Sequence, residues 1–321
     1  MTVQLLPIEA TTYEPHRLHA GERTWSETNC YVDVWVEVLH ALGLEPLAAA
    51  AFTLSTDFEG EQWTFFKFPP EDLRAQFGIE VAEMNVWRPL ADHVADQLDL
   101  GRLLTVEVDA WYLPDTREVS YHQAHTKTTI VPQMLDVDGR RMGYFHGPGY
   151  FELSDVDFDG VMGAAGPEAL PPYVELVRLE RMRGADADVV GGAVQLTSEH
   201  LSRRPTTSPM LRLKKRIEAD LPWLAAQDLE TFHRYAFGTC RQCGASAELA
   251  AAFVEWLDVR DGGGLGPVAE RLRAVATGAK ALQFALARVV RGRQVDLEGP
   301  LGEMEVNWEE AIASLSERYE R

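Results

Sequence analysis

The chain has 321 residues, 46% hydrophobic and 25% charged, and its 50 acidic side chains against 30 basic ones give a formal charge of −20. That surplus of carboxylates excludes the phosphate-neutralising surface that nucleic-acid binding needs, and it argues against adhesion to an anionic membrane. Three cysteines, Cys30, Cys240 and Cys243, are too few for a disulfide framework, and neither a signal peptide nor a bilayer-spanning apolar run is visible, so a reducing cytoplasm is the expected compartment.

Residues 1–25 read as an irregular arm. Tyr31, Val34, Trp35, Val38, Leu39 and Leu42 then recur at helical spacing, and Gly43 is placed to end the helix in the left-handed conformation. Ala48–Leu54 and Trp63–Phe68 are short apolar stretches around a polar loop, 57–62. Pro69-Pro70 stops the second stretch, and a short helix, Leu73–Phe77, runs to Gly78. Ile79–Val86 fits a strand and Leu90–Leu98 a helix. The period then changes: Leu103–Tyr112, Thr126–Met134, Arg141–His146 and Tyr150–Leu153 read as strands, with Asp136–Gly139 closing a hairpin.

A Gly/Ala/Pro-rich passage, Ala164–Pro172, reads as a boundary, and Tyr173–Leu179 as a last strand. Helices are expected at Val189–Leu201, Pro209–Ala219, Pro222–Phe237, Ser246–Leu257, Pro267–Val290 and Trp308–Tyr319. The fold class predicted is therefore α+β, a helix plus antiparallel sheet over residues 1–165, followed by a mainly helical domain over 166–321.

Cys30 falls in the first turn of the Asn29–Leu42 helix, where the positive end of the helix dipole favours thiolate; the alternative is a small buried apolar residue. A nucleophilic thiol needs a base, and His125, at the mouth of the Thr126–Met134 strand, is the candidate, with His122 further back in the loop. A Cys at a helix N-terminus with a His at a strand start is the layout of papain-like sites. His146, Asp136 and Asp138 are the candidates for a third member, the two aspartates being equally ordinary turn formers. Asn29 can aim its amide at an oxyanion or simply start the helix.

Asp109-Ala-Trp-Tyr112-Leu113-Pro114, a loop, then His125 before a β-branched strand, an Asp-x-Asp-Gly turn and a returning strand resemble the butirosin-biosynthesis acyltransferase type of papain-like fold. That resemblance covers roughly residues 25–155. The whole chain is also similar to a bacterial family of unknown function, through Asn29-Cys-Tyr-Val-Asp-Val-Trp35, Asp57-Phe-Glu-Gly-Glu-Gln-Trp63 and His125-Thr-Lys-Thr-Thr-Ile130, whose members are associated with carrier proteins and the ligases that load them with amino acids.

What the resemblance implies is cysteine-dependent acyl or aminoacyl transfer from the phosphopantetheine arm of a carrier protein to a small-molecule or peptide amine, with no bound cofactor. Cys30 matches the nucleophile and His125 the base; Asp109, Tyr112 and Pro114 match the strand-end motif, with Asn29, Asp109 and Tyr112 placed around the substrate. Related leader peptidases carry an Asp on the returning strand, where this chain has His146. The competing readings are a cysteine peptidase or amidase, and a silent module that binds a loaded carrier.

Two stretches reverse the sign of the chain, 201–216 and 271–293. In the first, Arg212, Lys214, Lys215 and Arg216 form the expected docking patch for an acidic carrier. Cys240-Arg-Gln-Cys243 lacks a second ligand pair and reads as helix packing, not as a metal site. Trp223, Phe232, Tyr235, Phe237, Phe253 and Trp256 read as core.

Overall fold

Antiparallel pairing organises the first half of the chain and helix packing the second. The computed structural model describes residues 2–163, 170–184 and 188–320. They fall into two units: Met1–Gly21, Asn29–Pro46 and Pro69–Ala187 form the first, and Glu22–Thr28, Leu47–Phe68 and Asp188–Arg321 the second.

The strands of the first unit are β1 (Thr2–Gln4), β2 (Glu80–Glu83), β3 (Leu103–Asp109), β4 (Lys127–Asp136), β5 (Arg141–His146), β6 (Gly149–Ser154) and β7 (Val174–Arg178). They make one sheet in the order β2-β7-β3-β4-β5-β6, with β1 beside the far end of β4, and every pairing is antiparallel. β4 is central and almost wholly buried, yet it contains Pro132, which has no N–H for the ladder. The register shifts between Pro132 and Met134, and the bulged Gln133 is used: its Oε1 accepts the Leu6 N–H at 2.9 Å and its amide donates to the Tyr150 hydroxyl at 2.5 Å.

The helices of this unit are α1 (Arg17–Ala20), α2 (Cys30–Ala41), α3 (Pro70–Phe77), α4 (Leu90–Asp99) and α5 (Asp155–Met162). α2 lies across β4, β5 and β6. It ends as its sequence directs: Gly43 sits at φ 75°, the Leu44 N–H reaches the Leu39 carbonyl at 2.9 Å, and the Gly43 N–H reaches that of His40 at 2.9 Å.

α2 is buried from Tyr31 through Leu39 on every side, Asp33 and Glu37 included. Those two acids stand four residues apart, so they share a face. His19 bridges them, Nε2 to Asp33 at 3.2 Å and Nδ1 to Glu37. The Tyr13 hydroxyl donates to Glu37 at 2.6 Å, and the His16 N–H reaches its carboxylate at 3.2 Å. Burial alone would push the His19 pKa down, but the hydrogen bonds and negative charges of Asp33 and Glu37 outweigh it and raise the pKa to about 9. A protonated histidine thus fastens the N-terminal arm to α2.

The second unit contains α6 (Val189–Arg203), α7 (Pro209–Leu224), α8 (Leu229–Ala236), a π-helical turn (Phe237–Arg241), α9 (Gln242–Arg260), α10 (Gly266–Val290) and α11 (Glu298–Tyr319). Two earlier segments join it. Trp25 holds the first: its Nε1–H donates to the Ala276 carbonyl at 3.0 Å, the Lys280 ammonium lies 4.3 Å from its ring centre, and a Cβ on Gly244 would come within 2.3 Å of the indole. Glu248 accepts the N–H groups of Thr24 and Trp25 at 2.7 and 3.0 Å. The second segment includes a 3₁₀ stretch, Pro46–Ser55, and the Phe58–Trp63 bridge.

Several expectations need correction. Residues 22–28 and 47–68 belong with the helical unit, not with the sheet. Val174–Arg178 pairs with β2 and β3, so the sheet takes a strand from beyond residue 165. The passage 164–172 lies, except for its last three residues, outside the described residues. The Pro222–Phe237 helix divides, because α7 runs on through Pro222 to Leu224 and Asp228 then caps α8 through the Thr231 N–H at 2.8 Å. α9 begins at Gln242 and α11 at Glu298, both earlier than expected.

Candidate active site

β3 ends at Asp109, and the chain turns at once into a 3₁₀ turn, Ala110–Tyr112. Asp109 makes that turn: its Oδ1 accepts the Trp111 N–H at 3.0 Å and the Thr126 N–H at 3.2 Å. The other oxygen, Oδ2, lies 2.6 Å from Nδ1 of His125. The Trp111 ring stacks on the imidazole, centroids 4.4 Å apart and planes 9° from parallel. One in-plane hydrogen bond and one stacking surface fix both the position and the rotation of the ring. Nε2 is left without a protein partner among the described residues. Burial works to raise the Asp109 pKa, but the bonds from His125, Trp111 and Thr126 outweigh it and hold the carboxyl below the usual range. An ionised carboxylate that fixes Nδ1–H and leaves Nε2 open makes the imidazole a proton acceptor at Nε2.

The pair opens onto a cleft of about 450 Å³ walled by Glu107–Asp109, His125–Lys127 and Pro171–Tyr173. Lys127 is paired with Glu107 at 2.6 Å and is 70% exposed, so the pair stabilises little but sets a positive charge at the rim. His125 itself is 69% exposed.

Cys30 is the first residue of α2, half-buried, and a free thiol. Asn29 is the cap, its Oδ1 accepting the Val32 N–H at 2.9 Å. Next to the thiol, the Tyr31 hydroxyl donates to Glu175 at 2.7 Å, and Thr105, directly opposite Glu175 in the sheet, donates to the same oxygen at 2.8 Å. Thr105 and Asp109 point to one face of β3, so α2 and Asp109 share a side of the sheet. Along β3, Thr105 and Asp109 are four residues, about 13 Å, apart. No hydrogen bond joins Cys30 to His125, and Cys30 is not among the residues that wall the cleft.

The structure does not bring His146 to His125. Its Nδ1 meets Asp115 at 2.5 Å and its Nε2 meets the Thr128 hydroxyl at 2.8 Å, so both nitrogens are engaged. Thr128 pairs with Val108, whereas Asp109 pairs with Lys127. Neighbours on a strand face opposite ways, so His146 lies across the sheet from His125. Asp136 forms the hairpin turn through the Gly139 N–H at 3.1 Å. Tyr112 covers Gly160 of α5 instead of the cleft; a Cβ there would lie 2.1 Å from its ring.

The basic patch is partly spent. Arg212 is ion-paired with Asp57, and Arg216 with Asp220 at 2.7 Å and with the Gly60 carbonyl, leaving Lys214 and Lys215. Cys240 and Cys243 are fully buried, and burial pushes the Cys240 thiol up to about 12. Among the described residues no group of three or more His, Cys, Asp or Glu side chains is placed to hold a metal. Of the aromatics read as core, Trp223 and Phe237 are 48% and 44% exposed.

The orienting role of Asp109 and the stacking role of Trp111 escaped the sequence reading. The signal was register: if β3 and β4 pair with Asp109 opposite Lys127, a histidine two residues before Lys127 lands beside Asp109.

Among the described residues no helix is long and apolar enough to cross a membrane. A search of curated proteins found no match. The DUF1839 N-terminal domain matches residues 14–179, which hold α2, strands β2 to β7 and the Asp109–His125 pair, and the DUF1839 C-terminal domain matches residues 186–317, which hold α6 to α10 and most of α11. The two matches together cover nearly the whole chain and identify it as a member of the DUF1839 family.

Proposed function

We propose that the first unit is a papain-like cysteine acyltransferase in which His125, oriented by Asp109, is the proton shuttle and Cys30 the nucleophile. The observation that carries this reading is the 2.6 Å Asp109–His125 contact beneath the Trp111 ring, with Nε2 open to a cleft. The donor is an acyl or aminoacyl thioester on the phosphopantetheine arm of a carrier protein, as the resemblance in the catalytic stretch implies, and the acceptor is an amine. The Cys30 thiolate attacks the thioester carbonyl, the bond from carbonyl carbon to carrier sulfur breaks, and the carrier thiol leaves with the proton held by His125. The amine then attacks the acyl-Cys30 bond, its proton passes to Nε2 of His125, and the thiolate is released with an amide formed. The reaction requires the Cys30 thiol and Nε2 of His125 to meet at the bound thioester.

In a second reading, His125 deprotonates the acceptor amine directly and no acyl-enzyme forms; the absence of Cys30 from the walls of the cleft favours it. Transfer from an aminoacyl thioester of N-acetylcysteamine to hydroxylamine, with Cys30→Ala, His125→Ala and Asp109→Asn alongside, separates the two. Acyl transfer lost in all three variants supports the cysteine mechanism, and transfer kept in Cys30→Ala but lost in His125→Ala supports the second. Activity unchanged in His125→Ala contradicts both, and cleavage of peptides in preference to thioesters makes the unit a peptidase.

A further inference from the structure

A cleft of about 450 Å³ in the helical unit has the size and lining of a small-molecule site. One wall is an aromatic corner: Trp223 and Tyr235 lie 6.0 Å apart at 52°, and Trp223 is half exposed although it stands on a helix with a well-formed core face. An open aromatic corner of this kind accepts a flat apolar group against ring face and edge. The Tyr235 hydroxyl is closed off from solvent and faces the Asp220 carboxylate across the cleft. The wall continues through Gly238, inside the π-helical turn Phe237–Arg241. Single π turns carry strained hydrogen bonding and concentrate at functional sites.

The charges in this cleft balance. Arg216 and Arg234 face Glu61 and Asp220. Arg216 and Asp220 neutralise one another at 2.7 Å. The remaining two are lightly held: Arg234 pairs with Glu230 at 3.7 Å, the two side chains 72% and 82% exposed, and feels Asp228, while Glu61 feels the Arg216 charge but makes no hydrogen bond among the described residues. One positive and one negative group thus stand ready beside an aromatic corner.

We propose that this cleft binds a small zwitterion with an aromatic body, of which a free aromatic α-amino acid is the simplest case. The ligand carboxylate pairs with Arg234, its ammonium with Glu61, and its ring packs on Trp223 and Tyr235. The site shares no lining residue with the His125 cleft.

Calorimetric titration of the full chain with L-phenylalanine tests this, with 3-phenylpropanoate (no ammonium) and 2-phenylethylamine (no carboxylate) as half-molecules. Expected is saturable binding that weakens at least tenfold for either half-molecule, for Arg234→Ala with its loss of the anion partner, and for Glu61→Gln. Both substitutions are on exposed side chains, so circular dichroism should match the wild type. No saturable heat up to about 10 mM ligand would overturn the proposal. So would binding that is indifferent to Arg234→Ala and Glu61→Gln, or that treats 2-phenylethylamine as well as L-phenylalanine.

Discussion

Replacing His19 by Gln removes the cation that bridges two buried acids of α2, and the structure gives the size of the effect. The folded pKa of about 9, against an ordinary 6.5, is a shift of about 2.5 units, and at 1.36 kcal/mol per unit the proton is worth about 3 kcal/mol to the fold. The group is raised, so its contribution is complete below pH 6.5 and is lost as pH rises through 9. His19→Gln also leaves Asp33 and Glu37 without the imidazolium charge, which adds a penalty of its own, although Glu37 keeps the Tyr13 hydroxyl and the His16 N–H. The informative quantity is therefore the difference between wild type and variant, which cancels the other titrating groups, tyrosines included. Urea unfolding at pH 6 and pH 9.5 measures it. The gap should be about 3 kcal/mol wider at pH 6 than at pH 9.5. A gap of equal size at both pH values would refute a protonated His19 and leave the cluster as ordinary hydrogen bonding.

Other outcomes follow from the same geometry. His146→Ala should destabilise the first unit by about 2–4 kcal/mol in thermal or urea unfolding, because the buried Asp115 carboxylate loses the imidazole and keeps only the Tyr144 hydroxyl among its hydrogen bonds from the described residues, and should leave His125-dependent chemistry intact. Gly160→Ala should lower the melting temperature, at about 1–3 kcal/mol, because the new methyl overlaps the Tyr112 ring. In Asp109→Asn the downfield Nδ1–H resonance of His125 should vanish from the proton NMR spectrum while the melting temperature changes little. In the native protein iodoacetamide should alkylate Cys30 alone, since burial keeps Cys240 and Cys243 protonated and out of reach, and peptide mapping reads this directly.

Elements with a strong period were legible in the sequence. α2 and its Gly43 cap, the β4–β5 hairpin and the buried cysteine pair all follow from local pattern. The misread elements depend on contacts far apart in sequence. Nothing local in Arg23-Thr24-Trp25 says that Glu248 and Ala276 will hold it, so residues 22–28 were assigned to the wrong unit. Pro222 looked like a helix start because proline favours first turns, yet it sits in the last turn of α7. In the site, His125 was readable as a strand-end histidine. Asp109 was readable only as part of a motif, since its partnership rests on the β3–β4 register. His146 was misplaced because strand position says which residues pair but gives no warning that a loop aspartate, Asp115, will claim the ring. Asp33 and Glu37 gave the clearest unread signal: two acids four apart on a helix otherwise apolar on all sides must meet a cation or pay desolvation.

The central claim, an acyl-enzyme on Cys30 formed with the help of the Asp109-oriented His125, is tested most directly by intact-mass spectrometry after brief exposure to an aminoacyl-loaded carrier protein without acceptor. The account predicts a mass increase of one aminoacyl group, mapped to Cys30, absent in Cys30→Ala and slowed at least a hundredfold in His125→Ala. An unmodified Cys30 in wild type, with the carrier deacylated or its acyl group transferred all the same, would contradict it.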